Sequence, residues 1–317
     1  MEPTSLSFSL SVAAVIGGLI MLVGGGESLI GGATRLARHL GMKPLLIGLT
    51  VVAFGTSVPE LFVSLTAAMQ GYPDIMIGNV VGSNIANVGL ILGCSALLAS
   101  LRLTIQEVWI ELLLVTCGSI ILMFCSGYGV FPRAVGVLFI VTLVSYTVFT
   151  CLDSFTGKNR QESSEEPGKK MGLPLMLALI FFGLLLLAGG SNLFIKGAVD
   201  IARYFGVSEL IIGLTLAAIG TSLPELASSL SALRHNESGL LIGNIIGSNM
   251  FNLFMVLGLT GAIKPFTLSP ELLHRDLPVM LVFTLILIPI LHRNGGTRRW
   301  HGLLFLGAYA AYMYSLI

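Results

Sequence analysis

The chain has 317 residues, of which 55% are hydrophobic and only 10% are charged, whereas a soluble protein of this size carries about 25% charged residues. That balance excludes an ordinary soluble fold and predicts an all-α polytopic membrane protein. A formal net charge of +1 offers no basic surface for nucleic acid.

The opening MEPTSLSFSLSVAAVIGG has no basic segment before its apolar run. The run is therefore expected to remain as a span rather than to be cleaved as a signal peptide. Apolar windows of about 20 residues predict ten spans, over 9–34, 44–69, 75–99, 107–126, 130–152, 173–195, 209–233, 239–263, 274–292 and 300–317. The connections are short except for the charged stretch Asp153–Lys170, DSFTGKNRQESSEEPGKK. The chain thus divides into a first five-helix set, 1–152, a linker, 153–172, and a second set, 173–317. With the N-terminus outside, the inside segments hold twelve Lys and Arg residues and the outside segments five. This bias predicts both termini outside and a cytoplasmic linker. Cys94, Cys117, Cys125 and Cys151 lie in or beside apolar runs without CxxC spacing and read as small packing residues.

The strongest organisational signal is an internal repeat. Ile47–Leu61, IGLTVVAFGTSVPEL, recurs as Ile212–Leu226, IGLTLAAIGTSLPEL, with 11 of 15 residues identical. Ile77–Gly93, IGNVVGSNIANVGLILG, recurs as Ile242–Gly258, IGNIIGSNMFNLFMVLG, with 9 of 17 identical, at the same offset of 165 residues. Five spans is an odd number, so the second copy must enter the membrane upside down. Such an inverted-topology repeat is an architecture of secondary transporters, and helices 2, 3, 7 and 8 are expected to be broken at its centre.

The repeated segments place polar chemistry where a membrane helix is usually blandest. Pro59 has no N–H and cannot bond the carbonyl of Gly55, so the second span should bend or break near residues 53–59 and free carbonyls around Ala53–Gly55. Freed carbonyls in lipid are tolerated only where they line a cavity or bind something. Thr56, Glu60 and Ser64 share one face at four-residue spacing, and Ala218, Thr221, Ser222, Glu225 and Ser229 repeat the pattern in span seven. In span three Asn79, Ser83 and Asn87 form a polar stripe, matched by Asn244, Ser248 and Asn252 in span eight. All of these are oxygen donors, with no His or Cys among them. That palette suits Ca²⁺, Na⁺ or Mg²⁺ rather than zinc or copper. An unneutralised carboxylate at mid-membrane costs roughly 2.5–3.5 kcal/mol on insertion scales, which cation binding or protonation must offset.

Simpler readings compete. Ser57-Val58-Pro59-Glu60 also fits a capping box at a restarted helix. Thr50, Thr66, Thr215 and Ser231 are expected to bond back along their own helices. Asn84 and Asn249 read as helix–helix glue, while Asn79 and Asn244 are candidates for gate or ligand. Glu111, which falls on Asp276 in the repeat, starts a span, and both carboxylates are expected to be solvated or to snorkel. Glu27 has no acidic counterpart, since Asn192 stands there, and reads as a boundary residue. The glycine runs of spans one and six imply tight packing or a smooth sliding surface.

GTSxPE followed by GNxxGSN, present twice in inverted halves, resembles the paired α-repeats of the cation/Ca²⁺ exchanger superfamily, most closely its prokaryotic sodium/calcium exchanger branch. The resemblance covers nearly the whole chain. It implies a Na⁺/Ca²⁺ antiporter in a prokaryotic inner membrane that exports Ca²⁺ by alternating access, with four cation sites at the membrane centre and spans one and six sliding across the rest. It further implies Glu60 and Glu225 as principal ligands. Hydroxyls would come from Thr56, Ser57, Thr221, Ser222, Ser83 and Ser248, carbonyls from Ala53 and Ala218, and the remaining central positions would be Asn87 and Asn252. Several relatives carry an Asp at one of the last two positions; two amides here argue against the K⁺-dependent subfamily. The short linker leaves no room for the large cytoplasmic Ca²⁺-sensing domains of animal exchangers. No cofactor and no obligatory protein partner is expected beyond Na⁺, Ca²⁺ and the bilayer.

A proton-coupled exchanger of the same fold is the nearest rival. That branch places a Glu soon after the GN of its second motif, whereas Val80-Val81-Gly82 and Ile245-Ile246-Gly247 follow here. An intramembrane enzyme would need Ser with His, or paired Asp, at mid-span, and no His or Asp lies there. A channel needs a continuous pore, whereas an inverted repeat in one chain favours alternating access.

Overall fold

The computed structural model describes residues 7–102, 104–155, 171–206, 218–269 and 272–316. In chain order the membrane helices are α1 (Phe8–Leu40), α2 (Pro44–Thr56 and Val58–Gln70), α3 (Pro73–Leu98), α4 (Trp109–Gly127), α5 (Arg133–Phe155) and α6 (Leu173–Tyr204), followed by α7 (Ala218–Thr221 and Leu223–Arg234), α8 (Ser238–Ile263), α9 (Leu272–His292) and α10 (Arg299–Ser315). Seven of the described helices are long and apolar enough to cross a membrane, eight with the bent α2 counted as one span. Of the other two expected spans, α10 has 17 residues, the lower limit for crossing. The seventh span lies in part outside the described residues, which omit 207–217, as does most of the expected linker, 156–170.

Helices α1 and α6 overrun their apolar windows, ending at Leu40 and Tyr204 instead of near 34 and 195. The backbone continues past the point where Arg35, Arg38 and Lys196 end the apolar run, because helical propensity does not stop at the lipid boundary. At 33 residues α1 is about 50 Å long, well beyond a hydrocarbon core of about 30 Å.

The packing of α1 on α6 reveals how the halves are related. A Cβ added to Gly18 would lie 2.8 Å from the Gly190 carbonyl oxygen, and one on Gly190 would lie 2.9 Å from that of Gly18. A Cβ on Gly25 would lie 2.9 Å from the Gly183 carbonyl oxygen, and one on Gly32 would lie 2.9 Å from that of Met176. Numbers rise along α1 as they fall along α6, so the helices are antiparallel. Since Gly18, Gly25 and Gly32 repeat as Gly183, Gly190 and Gly197, each contact has a mate related by a two-fold axis. The inverted relation of the two halves is therefore visible in the contact itself.

Of the four helices expected to be broken at the centre, the second and seventh are interrupted, at Ser57 and Ser222, and the third and eighth are not. Helix α2 bends by 42° at Ser57, one residue before Val58 and Pro59, and carries a π-helical turn upstream over Gly48–Val52. Helices α3 and α8, which have no interior proline at this level, stay continuous and instead widen into π turns over Asn87–Leu92 and Asn252–Leu257. Two short strands, β1 (Val130–Phe131) and β2 (Phe266–Thr267), pair antiparallel between the α4–α5 and α8–α9 connections. Their repeat-related counterpart is a single bridge, Arg102 to Gly296.

The carboxylates expected at the membrane surface are buried. Glu111 accepts from the Tyr146 hydroxyl, and Asp276 accepts from the Tyr312 hydroxyl at 3.0 Å and from Arg275. A phenol on the next helix supplies the donor that water was expected to provide.

Candidate cation site

The polar stripes of α2, α3, α7 and α8 converge in the interior. Thr56, Ser57, Glu60, Ser83, Asn87, Ser222, Glu225, Ser248 and Asn252 are all buried, as is Ala53, while Thr221 is half-buried. Ala218 opens the described part of α7. Asn244 meets Thr56 on α2 and the Glu225 carbonyl on α7, which brings the two carboxylate-bearing segments together.

Four contacts recur across the two-fold. Thr56 Oγ1 donates to Asn244 Oδ1 at 3.2 Å, and Thr221 Oγ1 donates to Asn79 Oδ1 at 3.1 Å. Asn244 Nδ2 reaches Ser229 Oγ at 3.1 Å, and Asn79 Nδ2 reaches Ser64 Oγ at 2.9 Å. Each amide nitrogen also lies 3.4 Å from a backbone carbonyl, that of Glu225 or Glu60. Asn84 Nδ2 and Asn249 Nδ2 each reach the other's carbonyl at 3.4 Å, the cross-helix glue expected of them.

Several polar atoms inside this frame, all but one of them oxygens, have no hydrogen-bond partner. They are both carboxylate oxygens of Glu60 and of Glu225, the hydroxyls of Ser57, Ser83 and Ser222, Oδ1 of Asn87, and both amide atoms of Asn252. A buried polar atom left unpaired costs about 1–3 kcal/mol, and more if charged. Concentrating them in one place is destabilising unless a ligand completes the set. The ligand must accept lone pairs from oxygen and offset two carboxylates, which describes a hard cation. The expected ligands are thus brought together, with two amendments. The Ala53 carbonyl is not free, since it accepts from Ser57 N at 3.0 Å; its second lone pair remains. The capping-box reading fails, because Ser57 and Glu60 make no side-chain cap bond.

Other expectations divide. Thr50 bonds back to the Leu46 carbonyl at 2.7 Å as expected, whereas the Ser231 hydroxyl is buried without a partner. Glu27 is more than a boundary residue. It pairs with Arg234 at 3.0 Å and His235 at 3.4 Å, joining α1 to the end of α7. A basic pair at the end of a span, opposite an unexplained acid in another, was the signal available in the sequence.

An inverted repeat with oxygen-lined polar stripes at its centre defines a secondary cation transporter. The profile of the family described as "Sodium/calcium exchanger protein" matches residues 10–152 and again 175–317, and the chain belongs to that family. It is 40% identical to a putative antiporter, CaxA, of Alkalimonas amylolytica, over 95% of this chain and 97% of that one. It is 31% identical to the sodium/calcium exchanger MaX1 of Methanosarcina acetivorans, over 94% of this chain and 96% of that one. A solved structure of the sodium-calcium exchanger NCX_Mj, soaked with Na⁺ and Sr²⁺, superimposes with a TM-score of 0.84 at 31% identity, covering 98% of this chain and 100% of that one.

Proposed function

We propose that this chain is an antiporter that exchanges Na⁺ for Ca²⁺ through one oxygen-lined centre, open alternately to either side, and so exports Ca²⁺. The carrying observation is the set of four carboxylate oxygens, buried and unpartnered, on Glu60 and Glu225. Two negative charges neutralise one Ca²⁺, or two Na⁺, so either cargo satisfies the same cage without a net buried charge. In this reading Glu60 and Glu225 are the charged ligands. Thr56, Ser57, Ser83, Thr221, Ser222 and Ser248 supply hydroxyl oxygens, Asn87 and Asn252 amide oxygens, and Ala53 and Ala218 backbone carbonyls. The relatives' names, sodium/calcium exchanger and antiporter, support this assignment. The chain transports and does not catalyse a covalent reaction. We place it in a prokaryotic inner membrane with both termini outside, on the Lys and Arg distribution.

The test is Ca²⁺ flux in proteoliposomes under imposed Na⁺, K⁺ or H⁺ gradients. Flux should follow the Na⁺ gradient. Flux driven by H⁺ and indifferent to Na⁺ would transfer the chain to the proton-coupled class.

A further inference from the structure

We infer that Asn79 and Asn244 are positioning residues that turn the hydroxyl protons of Thr221 and Thr56 away from the cation, leaving those two oxygens as acceptors aimed at it. The inference rests on the cation site proposed above and adds two residues outside its ligand set.

The chemistry fixes the orientation of each amide. Asn79 lies 3.4 Å from the Glu60 carbonyl, a group that only accepts, so the amide nitrogen must be on that side. The same nitrogen reaches Ser64 Oγ at 2.9 Å. The amide oxygen is then the atom 3.1 Å from Thr221 Oγ1. An amide oxygen carries no hydrogen, so Thr221 must donate. A threonine hydroxyl has one proton and two lone pairs; with the proton committed to Asn79, only lone pairs remain for the cage.

The second half repeats the logic. Asn244 Nδ2 lies near the Glu225 carbonyl at 3.4 Å, Ser228 Oγ at 3.0 Å and Ser229 Oγ at 3.1 Å. Its Oδ1 receives Thr56 Oγ1 at 3.2 Å. The other neighbours of Thr56 Oγ1 are the Ala53 carbonyl and Ser248 Oγ, both at 3.4 Å, and the Glu225 carboxylate, whose lone pairs turn to the cation once one is bound. The Ala53 carbonyl already accepts from Ser57 N, so Asn244 is both the nearer and the freer acceptor.

Each asparagine therefore belongs to two halves at once. Asn79 sits on α3, holds α2 through Glu60 and Ser64, and orients a hydroxyl on α7. One of the two lone pairs of its amide oxygen is taken by that task. A hydroxyl whose proton is already parked elsewhere binds a cation without first rotating, which is preorganisation. Loss of the asparagine should accordingly weaken cation binding more than it slows turnover.

The test is a pair of double-mutant cycles read as the KM for Ca²⁺ and the maximal rate of Na⁺-driven uptake in proteoliposomes. Asn79→Ala and Thr221→Val should each raise KM about tenfold, the scale of one lost hydrogen bond to a charged group, with a smaller change in maximal rate. The double variant should be no more than about twice as impaired as either single one, rather than about a hundredfold, because the two residues act as a unit. Asn244→Ala with Thr56→Val should behave alike, while the crossed pair Asn79→Ala with Thr56→Val should multiply. If Asn79→Ala does not reach the membrane, Ser64→Ala, which removes the amide's anchor, replaces it in the cycle. Multiplicative effects within both matched pairs overturn the inference. Glu60→Gln run in parallel separates the two levels: if it still transports, the cation site itself is wrong, and if it is inactive while the matched pairs multiply, only the positioning role fails.

Discussion

Helices α3 and α8 carry the same polar residues at matching positions, yet Asn87 and Asn252 stand in different surroundings. Asn87 donates to Asn249 Oδ1 at 2.9 Å, which leaves its own oxygen free, whereas neither amide atom of the buried Asn252 has a partner. Helices α1 and α6 differ in the same way. Glu27 on α1 is tied to Arg234 and His235, while Asn192, at the same place on α6, bonds back to its own helix at the Ala188 carbonyl. The halves agree in the carboxylates, hydroxyls and backbone that would hold the cargo and part company around them. Two identical halves would make the inward-open and outward-open forms equal in energy. Each unmatched contact biases that balance, and about 1.4 kcal/mol shifts it tenfold. The carboxylates can stay matched while the amides beside them and the resting state do not.

The largest effect expected is at the carboxylates. Glu60→Gln and Glu225→Gln should each reduce Na⁺-driven Ca²⁺ uptake by at least about a hundredfold, since one charge cannot neutralise a buried divalent ion. Protein yield and helicity by circular dichroism should stay close to those of the parent. Equal losses would make the two halves equivalent at the cargo; a clear inequality would extend the asymmetry to the centre itself.

A smaller difference is expected at the asparagines. Asn87→Asp places a carboxylate oxygen opposite Asn249 Oδ1, at a site where a donor stood, and should cost roughly 1–3 kcal/mol of stability. Asn252→Asp removes no existing bond and should be milder on that measure, while adding a carboxylate that competes for protons. Heating detergent-solubilised protein and following the monodisperse fraction compares the two. Equal destabilisation would show that Asn252 has a partner equivalent to Asn249.

Smallest is the peripheral ion pair. Arg234 is well exposed and Glu27 half-buried, and pairs open to solvent contribute about 0.2–1 kcal/mol. Glu27→Gln should therefore shift the ratio of inward-open to outward-open forms by no more than about fivefold. Cysteine accessibility measured from each side reads that ratio. The companion variant Asn192→Gln, on the unlatched side, should leave it unchanged; a matching shift would mean that the latch does not set the bias.

The architecture and the cage were legible because both are written in residue types at one constant offset. Glu60 and Glu225 stand out in lipid whatever surrounds them, and the odd number of spans forces the inversion. Partners were not legible. Nothing in the chain says that Thr221 meets Asn79, 142 residues earlier, because that contact exists only once two helices from opposite halves cross. Glu111 and Asp276 looked like surface carboxylates for the same reason, their phenolic donors being 35 and 36 residues away. Hydropathy also measures where lipid ends rather than where a helix ends, so α1 and α6 ran past their predicted limits. The π turns at Asn87 and Asn252 carry no proline to announce them.

The antiparallel seam of α1 and α6 says something about origins. Each side offers the same glycine steps, so the seam is an isologous surface, of the kind that joins two copies of one polypeptide. A half-length chain spanning the membrane five times, inserted in both directions, would meet its oppositely oriented twin along this seam and bring two carboxylates together with no further invention. In that view the linker between the halves is a later suture that fixed one orientation for each. Glu27 and its partners then became free to diverge, because only after the join could one twin differ from the other.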